Sequence, residues 1–313
     1  MTIPPGGLTA DLLNRTTDGI LLYGLTPPRL DTAPERADEI AQAALTRLET
    51  VEADALILYD VDAEADRSST PRPFPFMPMM DPTLFHERHL SGWTGPVIVY
   101  RAAGKYTERS LGDWLTQTDP GQVLTVLVGA ASRHQRVKTR LTDAYRLYAG
   151  LDRRPGLGGV FIAERHATTG QEHARMLSKQ ADGCDFFVSQ VCYDVDHARN
   201  VLSDYAYACR DLGLAPKPTI LTLAPCGSAK TLDFMTWLGI DVPRWLQTEI
   251  VNSEDPLAES YEQCLTNARI LIAFCRRLGL PFGINVESLT NRKVEIEASI
   301  DLARAIRDLL RRA

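Results

Sequence analysis

Two carboxylates, Asp60 and Glu287, each follow a short apolar run closely: ALILY at 55–59 and FGINV at 282–286. A carboxyl group held at the end of a buried strand is partly dehydrated. That raises its pKa toward neutrality and suits it to general acid catalysis. Both are therefore candidate proton donors, with Glu287 first because its longer side chain reaches further. A pairing of Glu287 with Arg101, Arg292 or Lys293 is the structural alternative. Other apolar runs end in, or are followed by, aromatic, amide and hydroxyl groups: Tyr23, Tyr59, Tyr100, Ser189, Gln190 and Tyr193. These are polar and aromatic groups able to line a binding pocket, and an amide such as Gln190 can both donate and accept. Ser132, Glu164, His166, Cys226 and Ser228 follow the remaining runs and are candidates for holding a cofactor.

Several familiar chemistries lack their spacing. Ser189, His166 and Asp194 make a triad only on paper, since no GxSxG turn marks a nucleophile. His166 and His173 stand seven apart across an expected loop-to-helix boundary, so no metal is expected. The six cysteines form no CxxC pair and read as reduced, buried thiols, which suits the cytoplasm. Gly227-Ser228-Ala229-Lys230-Thr231 is like the tail of a phosphate loop but lacks its first glycine spacing. Ser228 reads first as a helix cap, with an anion site as the alternative. Asp60, Asp62, Glu64 and Asp66 crowd four acids together without the glycine or terminal glutamate of a calcium loop.

The elements that must position these groups are legible as a repeat. Eight apolar runs occur at 20–25, 55–59, 96–100, 123–128, 159–162, 186–191, 219–223 and 282–286. They do not alternate with polar residues, which suits parallel strands buried on both faces. Helical periodicity fills the gaps at 34–50, 111–115, 138–149, 171–180, 197–212, 232–238, 258–278 and 294–310, and Pro243 opens an extra short helix at 243–251. Eight strand–helix units in 313 residues predict one (β/α)8 TIM barrel spanning 1–313. Residues 1–18 form an N-terminal extension, and the proline-rich stretch 60–82 is a loop over the catalytic face. An open doubly wound sheet would show a glycine-rich first turn, and Leu25-Thr26-Pro27-Pro28-Arg29 is not one.

A net charge of −6 argues against a general grip on nucleic acid. No 18-residue apolar run is present, so no membrane span is expected, and the N-terminus has no basic and apolar leader. A small-molecule ligand is the expected partner, with a homo-oligomer left open.

Ordered segments along the whole chain resemble the methylenetetrahydrofolate reductase family. Tyr23 to Arg29 is similar to its FEFFPPR, and Glu64 to Ser68 to its ERDRT. Glu164-Arg165-His166 is similar to its Glu-x-His. Lys179 to Gly183 followed by Phe187 to Asp194 resembles its K-x-x-AG and ITQxFFD, and Val242 to Leu246 its RIPAW. The resemblance implies a flavoprotein barrel reducing 5,10-methylenetetrahydrofolate. The departures are specific. Gly24 stands where the family has its catalytic glutamate. Gly129-Ala130-Ala131 replaces an Arg-Gly-Asp that contacts flavin and pterin, and Ile162 replaces a flavin-site tyrosine. Gln190 keeps the pterin-contacting glutamine.

The resemblance therefore implies a tetrahydrofolate substrate and no bound FAD, as in actinobacterial relatives that take hydride directly from NADH. Opening the methylene bridge still needs a proton on the leaving nitrogen, which glycine cannot supply. Three readings stay open. One is a flavin-free reductase using NADH or NADPH with a relocated acid, Glu287 or Asp60. The second is a folate- or pterin-binding paralogue with other methylene-transfer chemistry. The third is a non-catalytic folate-binding protein.

Overall fold

The computed structural model describes residues 7–63, 70–130 and 135–312. Ala131, Ser132 and the segment from Glu64 to Ser68 lie outside them. Eight parallel strands close into a barrel in chain order. They are β1 (Ile20–Leu25), β2 (Ala55–Leu58), β3 (Val97–Ala102), β4 (Val123–Val128), β5 (Gly156–Phe161), β6 (Cys184–Val191), β7 (Thr219–Leu223) and β8 (Phe282–Glu287). Each lies on or within a few residues of an apolar run of the sequence, because a strand covered on both faces needs apolar groups on both. β8 closes the ring on β1, with Leu22 opposite Asn285 and Gly24 opposite Glu287.

Among the described residues twelve α-helices surround or flank the barrel: α1 (Gly7–Asn14), α2 (Pro34–Leu48), α3 (Pro82–His89), α4 (Glu108–Gln117), α5 (Leu141–Ala149), α6 (Ala163–Thr169), α7 (Glu172–Ala181), α8 (Val195–Asp211), α9 (Ala229–Trp237), α10 (Arg244–Asn252), α11 (Pro256–Leu278) and α12 (Lys293–Arg311). α10 is the extra helix that Pro243 announces. Five of the helices, α3, α4, α8, α9 and α11, open on a side-chain cap. α11 starts with Pro256 behind Asp255, whose carboxylate accepts from the Ala258 N–H at 3.1 Å, and it stops at Gly279 with a φ of 65°.

Three helices were not expected from periodicity: α1, α3 and α6. Each is under nine residues and lacks a clear apolar stripe. α1 sits under the barrel, where Leu12 joins the inner cluster with Ile20, Leu22, Ala55 and Ile57. α6 matters for the site. Glu164 and His166 lie in its first turn and not on a strand-end loop.

Residues 70–80 are tied at both ends. Leu30 N–H donates to Pro78 O and Met80 N–H to Pro28 O, each at 2.8 Å, beside the turn after β1. Trp237 of α9 donates its indole N–H to Thr70 O at 3.2 Å, and Phe74 meets Phe234 edge-on at 5.4 Å. α9 follows β7, so these contacts fall on the two sides of β8. Among the described residues no helix is long and apolar enough to cross a membrane, and all six cysteines are buried and unpaired.

Candidate functional site at the barrel mouth

Side chains of a strand alternate between faces, so the barrel interior is read two residues at a time. The inner cluster contains Leu22, Ile57, Ile98 and Tyr100, Val126 and Val188, with Tyr59 and Val128 packed against it. One layer further toward the C-terminal ends come Gly24, Gln190 and Glu287. Together with Tyr59 and Tyr100 they form the inner wall of the mouth.

Glu287 is the carboxylate of that wall and is 9% exposed. The Tyr59 hydroxyl donates to its Oε2, and Asn285 donates from Nδ2 to the same oxygen at 3.3 Å. Asn285 also donates to the Tyr59 hydroxyl oxygen at 3.1 Å. Loss of water pushes the Glu287 pKa up from 4.5 to about 7, against the opposing pull of the two hydrogen bonds. Arg101 pairs with Asp81 at 2.5 Å and Arg292 with Glu295 at 2.9 Å. Among the described residues no basic side chain pairs with Glu287, so the ion-pair alternative is not what the fold builds. Burial and the Glu287 charge push the Tyr59 and Tyr100 hydroxyls well above their ordinary range. The two rings meet edge-on at 4.9 Å.

Gly24 makes this arrangement fit. A Cβ there would lie 2.9 Å from Glu287 Oε2 and 2.9 Å from Tyr59 Cε2. The room above Gly24 is filled by the acid and its tyrosine.

Asp60 sits differently. Its side chain is almost wholly buried and pairs with Lys105. Its carboxylate also accepts from the Ala102 N–H at 3.0 Å and the Tyr106 hydroxyl at 2.9 Å. Those partners hold it against β3 and away from the space above Gly24.

The other candidates divide by strand face. Gln190 faces inward and donates from Nε2 to Leu238 O at 2.7 Å. Tyr23 and Tyr193 point outward into the helix layer, a correction to their expected place in the pocket. Tyr23 shares a 2.6 Å hydrogen bond with Ser299, and Tyr193 donates to Ala224 O at 2.7 Å. Ser189 is also turned away from the mouth, since its Oγ accepts from the Thr222 N–H at 2.8 Å. Cys226 is buried, with its N–H donating to Ser260. Ser228 caps α9 by accepting from the Thr231 N–H. The buried Glu295 carboxylate accepts from Thr231, Thr290 and Arg292 beside that helix end. The anion place suggested by Gly227-Ser228 thus already holds the chain's own carboxylate. Glu164 accepts from the Asp241 N–H at 3.4 Å, and burial raises its pKa. His166 turns to Asp204 on α8.

Sequence reasoning missed Asn285. Its one available signal was a lone amide within an apolar strand. Its Oδ1 is buried without a partner.

A small hollow, of about 30 Å³, lies between the ends of β2, β3 and β4. Its lining includes Asp60, Asp62, Gly129, Ala130 and Gln135.

No protein-family model matches the chain, and no curated protein matches it. A solved structure matches it over nearly its full length. It is an uncharacterized protein from Clostridium thermocellum that binds two copies of 5-methyl-5,6,7,8-tetrahydrofolic acid. It is 39% identical, covers 96% of this chain and 99% of its own, and superposes with a TM-score of 0.85. The chain belongs to that protein's family. Far weaker likeness extends to dihydropteroate synthase from Xanthomonas albilineans, at 12% identity over 94% of each chain and a TM-score of 0.44. It also extends to 2,3-dimethylmalate lyase, at 12% identity over 89% of this chain and 78% of that one, with a TM-score of 0.47. Likeness that remote says nothing about chemistry.

Proposed function

We propose that this chain binds a reduced folate at the C-terminal mouth of the barrel and reduces its methylene bridge, with Glu287 as the proton donor. The observation that carries the reading is the Glu287 carboxyl itself. It fills the space above Gly24 with a pKa near 7, where a group is protonated often enough to donate and ionised often enough to be recharged. The folate half of the reading is supported by the Clostridium thermocellum relative.

The chemistry balances with two reagents. Glu287 gives its proton to the aniline nitrogen of 5,10-methylenetetrahydrofolate as that nitrogen's bond to the methylene carbon breaks. The pterin nitrogen keeps the carbon as an iminium. Hydride from NADH or NADPH adds to that carbon and gives 5-methyltetrahydrofolate and the oxidised nicotinamide. Water returns the proton to Glu287. No flavin takes part in this reading. Gln190, anchored by its nitrogen on Leu238, offers its oxygen to an N–H of the pterin edge. Residues 70–80 roof the β8 side of the mouth and limit water there.

The relative's two bound folates favour a second reading, in which a second folate and not a nicotinamide is the other ligand. One assay separates them. Purified protein is mixed with 5,10-methylenetetrahydrofolate and NADH or NADPH, and loss of nicotinamide absorbance is followed. Turnover that disappears in Glu287→Gln supports the reductase. Folate binding without nicotinamide oxidation overturns it in favour of the second reading.

A further inference from the structure

We propose that His166, His173 and Asp204 form a binding site for a divalent transition-metal ion of the zinc class. The three residues come from three helices. His166 lies in the first turn of α6, His173 in the first turn of α7 and Asp204 midway along α8. One ligand atom from each lies within 4.8 Å of the others. His166 Nε2 is 3.1 Å from Asp204 Oδ2. The two imidazoles meet edge to face with centroids 5.4 Å apart. Sequence spacing hid the group because its third member stands 31 residues beyond His173.

The two rings are also poorly satisfied where they stand. The His166 side chain is 6% exposed. Its Nδ1 and that of His173 are both buried without a hydrogen-bond partner. A buried polar nitrogen in that state is costly. One nitrogen of each ring, His166 Nε2 among them, and the Asp204 carboxylate make a cluster of basic nitrogen and negative charge, which a cation completes.

The dimensions agree. Ligands about 2.1 Å from a tetrahedral zinc lie roughly 3.4 Å from one another. His166 and Asp204 are already near that spacing, and a small swing of His173 closes the set. Two imidazoles and one carboxylate select zinc, cobalt or nickel over magnesium and calcium, which prefer oxygen alone. The Asp204 side chain is more than half exposed, so a water can take the fourth position. Bound there, the ion ties the α6–α7 elbow at Gly170 to α8, and it touches none of the groups assigned to folate.

The test uses the untagged full chain, stripped with a chelator and titrated with Co²⁺. The expected result is a saturable rise of the visible d–d bands of four-coordinate cobalt at one equivalent, reversed by Zn²⁺. His173→Ala and Asp204→Asn should lose the bands. His197→Ala, whose ring lies near Asp194 and Asp241, should keep them. Asp204→Asn changes a surface group and leaves the fold intact, so its result reads on binding. Zn²⁺ should also raise the melting temperature of the parent but not of Asp204→Asn. Absence of the bands from the parent, or full retention in both ligand variants, would overturn the site; a bridging water is then what satisfies the two nitrogens.

Discussion

Gly24 and Glu287 are register partners across the seam that closes the barrel, and the glutamate's oxygen occupies the place a Cβ on the glycine would claim. A carboxylate is thus present above β1 although β1 does not supply it. Exchange follows as a prediction. Gly24→Glu alone crowds two buried carboxyls and should destabilise by roughly 1–3 kcal/mol, the usual cost of overpacking. Adding Glu287→Gly should recover most of that loss, read by urea unfolding. Equal stability of the single and double variants would show that the two positions do not share one space.

Stability should also depend on pH through Glu287. Its folded pKa of about 7 lies above its ordinary 4.5, so the folded chain holds this proton more tightly than the unfolded one. The contribution is complete below pH 4.5 and is lost as pH rises through 7. Its ceiling is about 3 kcal/mol. Chemical unfolding at a series of pH values should show a decline across that window in the parent and a flatter profile in Glu287→Gln. Identical slopes would mean the carboxyl is not dehydrated.

Tyr59→Phe removes a hydrogen bond that favours the ionised form of Glu287. The carboxyl pKa should rise further. In a pH–rate profile the fall on the alkaline side should move to higher pH, and infrared difference spectra should show the protonated carboxyl persisting further. A shift to lower pH would contradict the assigned direction of that bond.

Asp60→Asn separates the two carboxylates. Asp60 holds Lys105, the Ala102 N–H and Tyr106 in place. Its neutralisation should cost roughly 1–3 kcal/mol in thermal or urea unfolding and leave affinity for 5-methyltetrahydrofolate unchanged. A variant of normal stability with lost turnover would restore Asp60 as a proton donor.

The strands were legible because apolar runs of four to six residues stand between helical periods. Their phase was not. In a strand covered on both faces the hydrophobic pattern does not say which residues look inward, and a one-residue shift exchanges the faces. Tyr23 beside Gly24 shows the consequence. Both end the same run, yet only the glycine faces the mouth, while the tyrosine reaches Ser299 of α12. The same ambiguity put Ser189 and Gln190 side by side as ligands, although adjacent positions take opposite faces. Glu287 and Asp60 were placed at their strand ends correctly, but the partners that distinguish them, Tyr59 for one and Lys105 with Tyr106 for the other, are tertiary.

The seam between β1 and β8 joins the first strand to the last. Gly24 is made early and Glu287 late, with 262 residues between them. Without its eighth strand the barrel mouth would lack the Glu287 carboxyl. With Glu287 as the proposed proton donor, chemistry at this mouth would require the closed ring, and a ligand that bridges β1 and β8 would fasten the barrel at its seam.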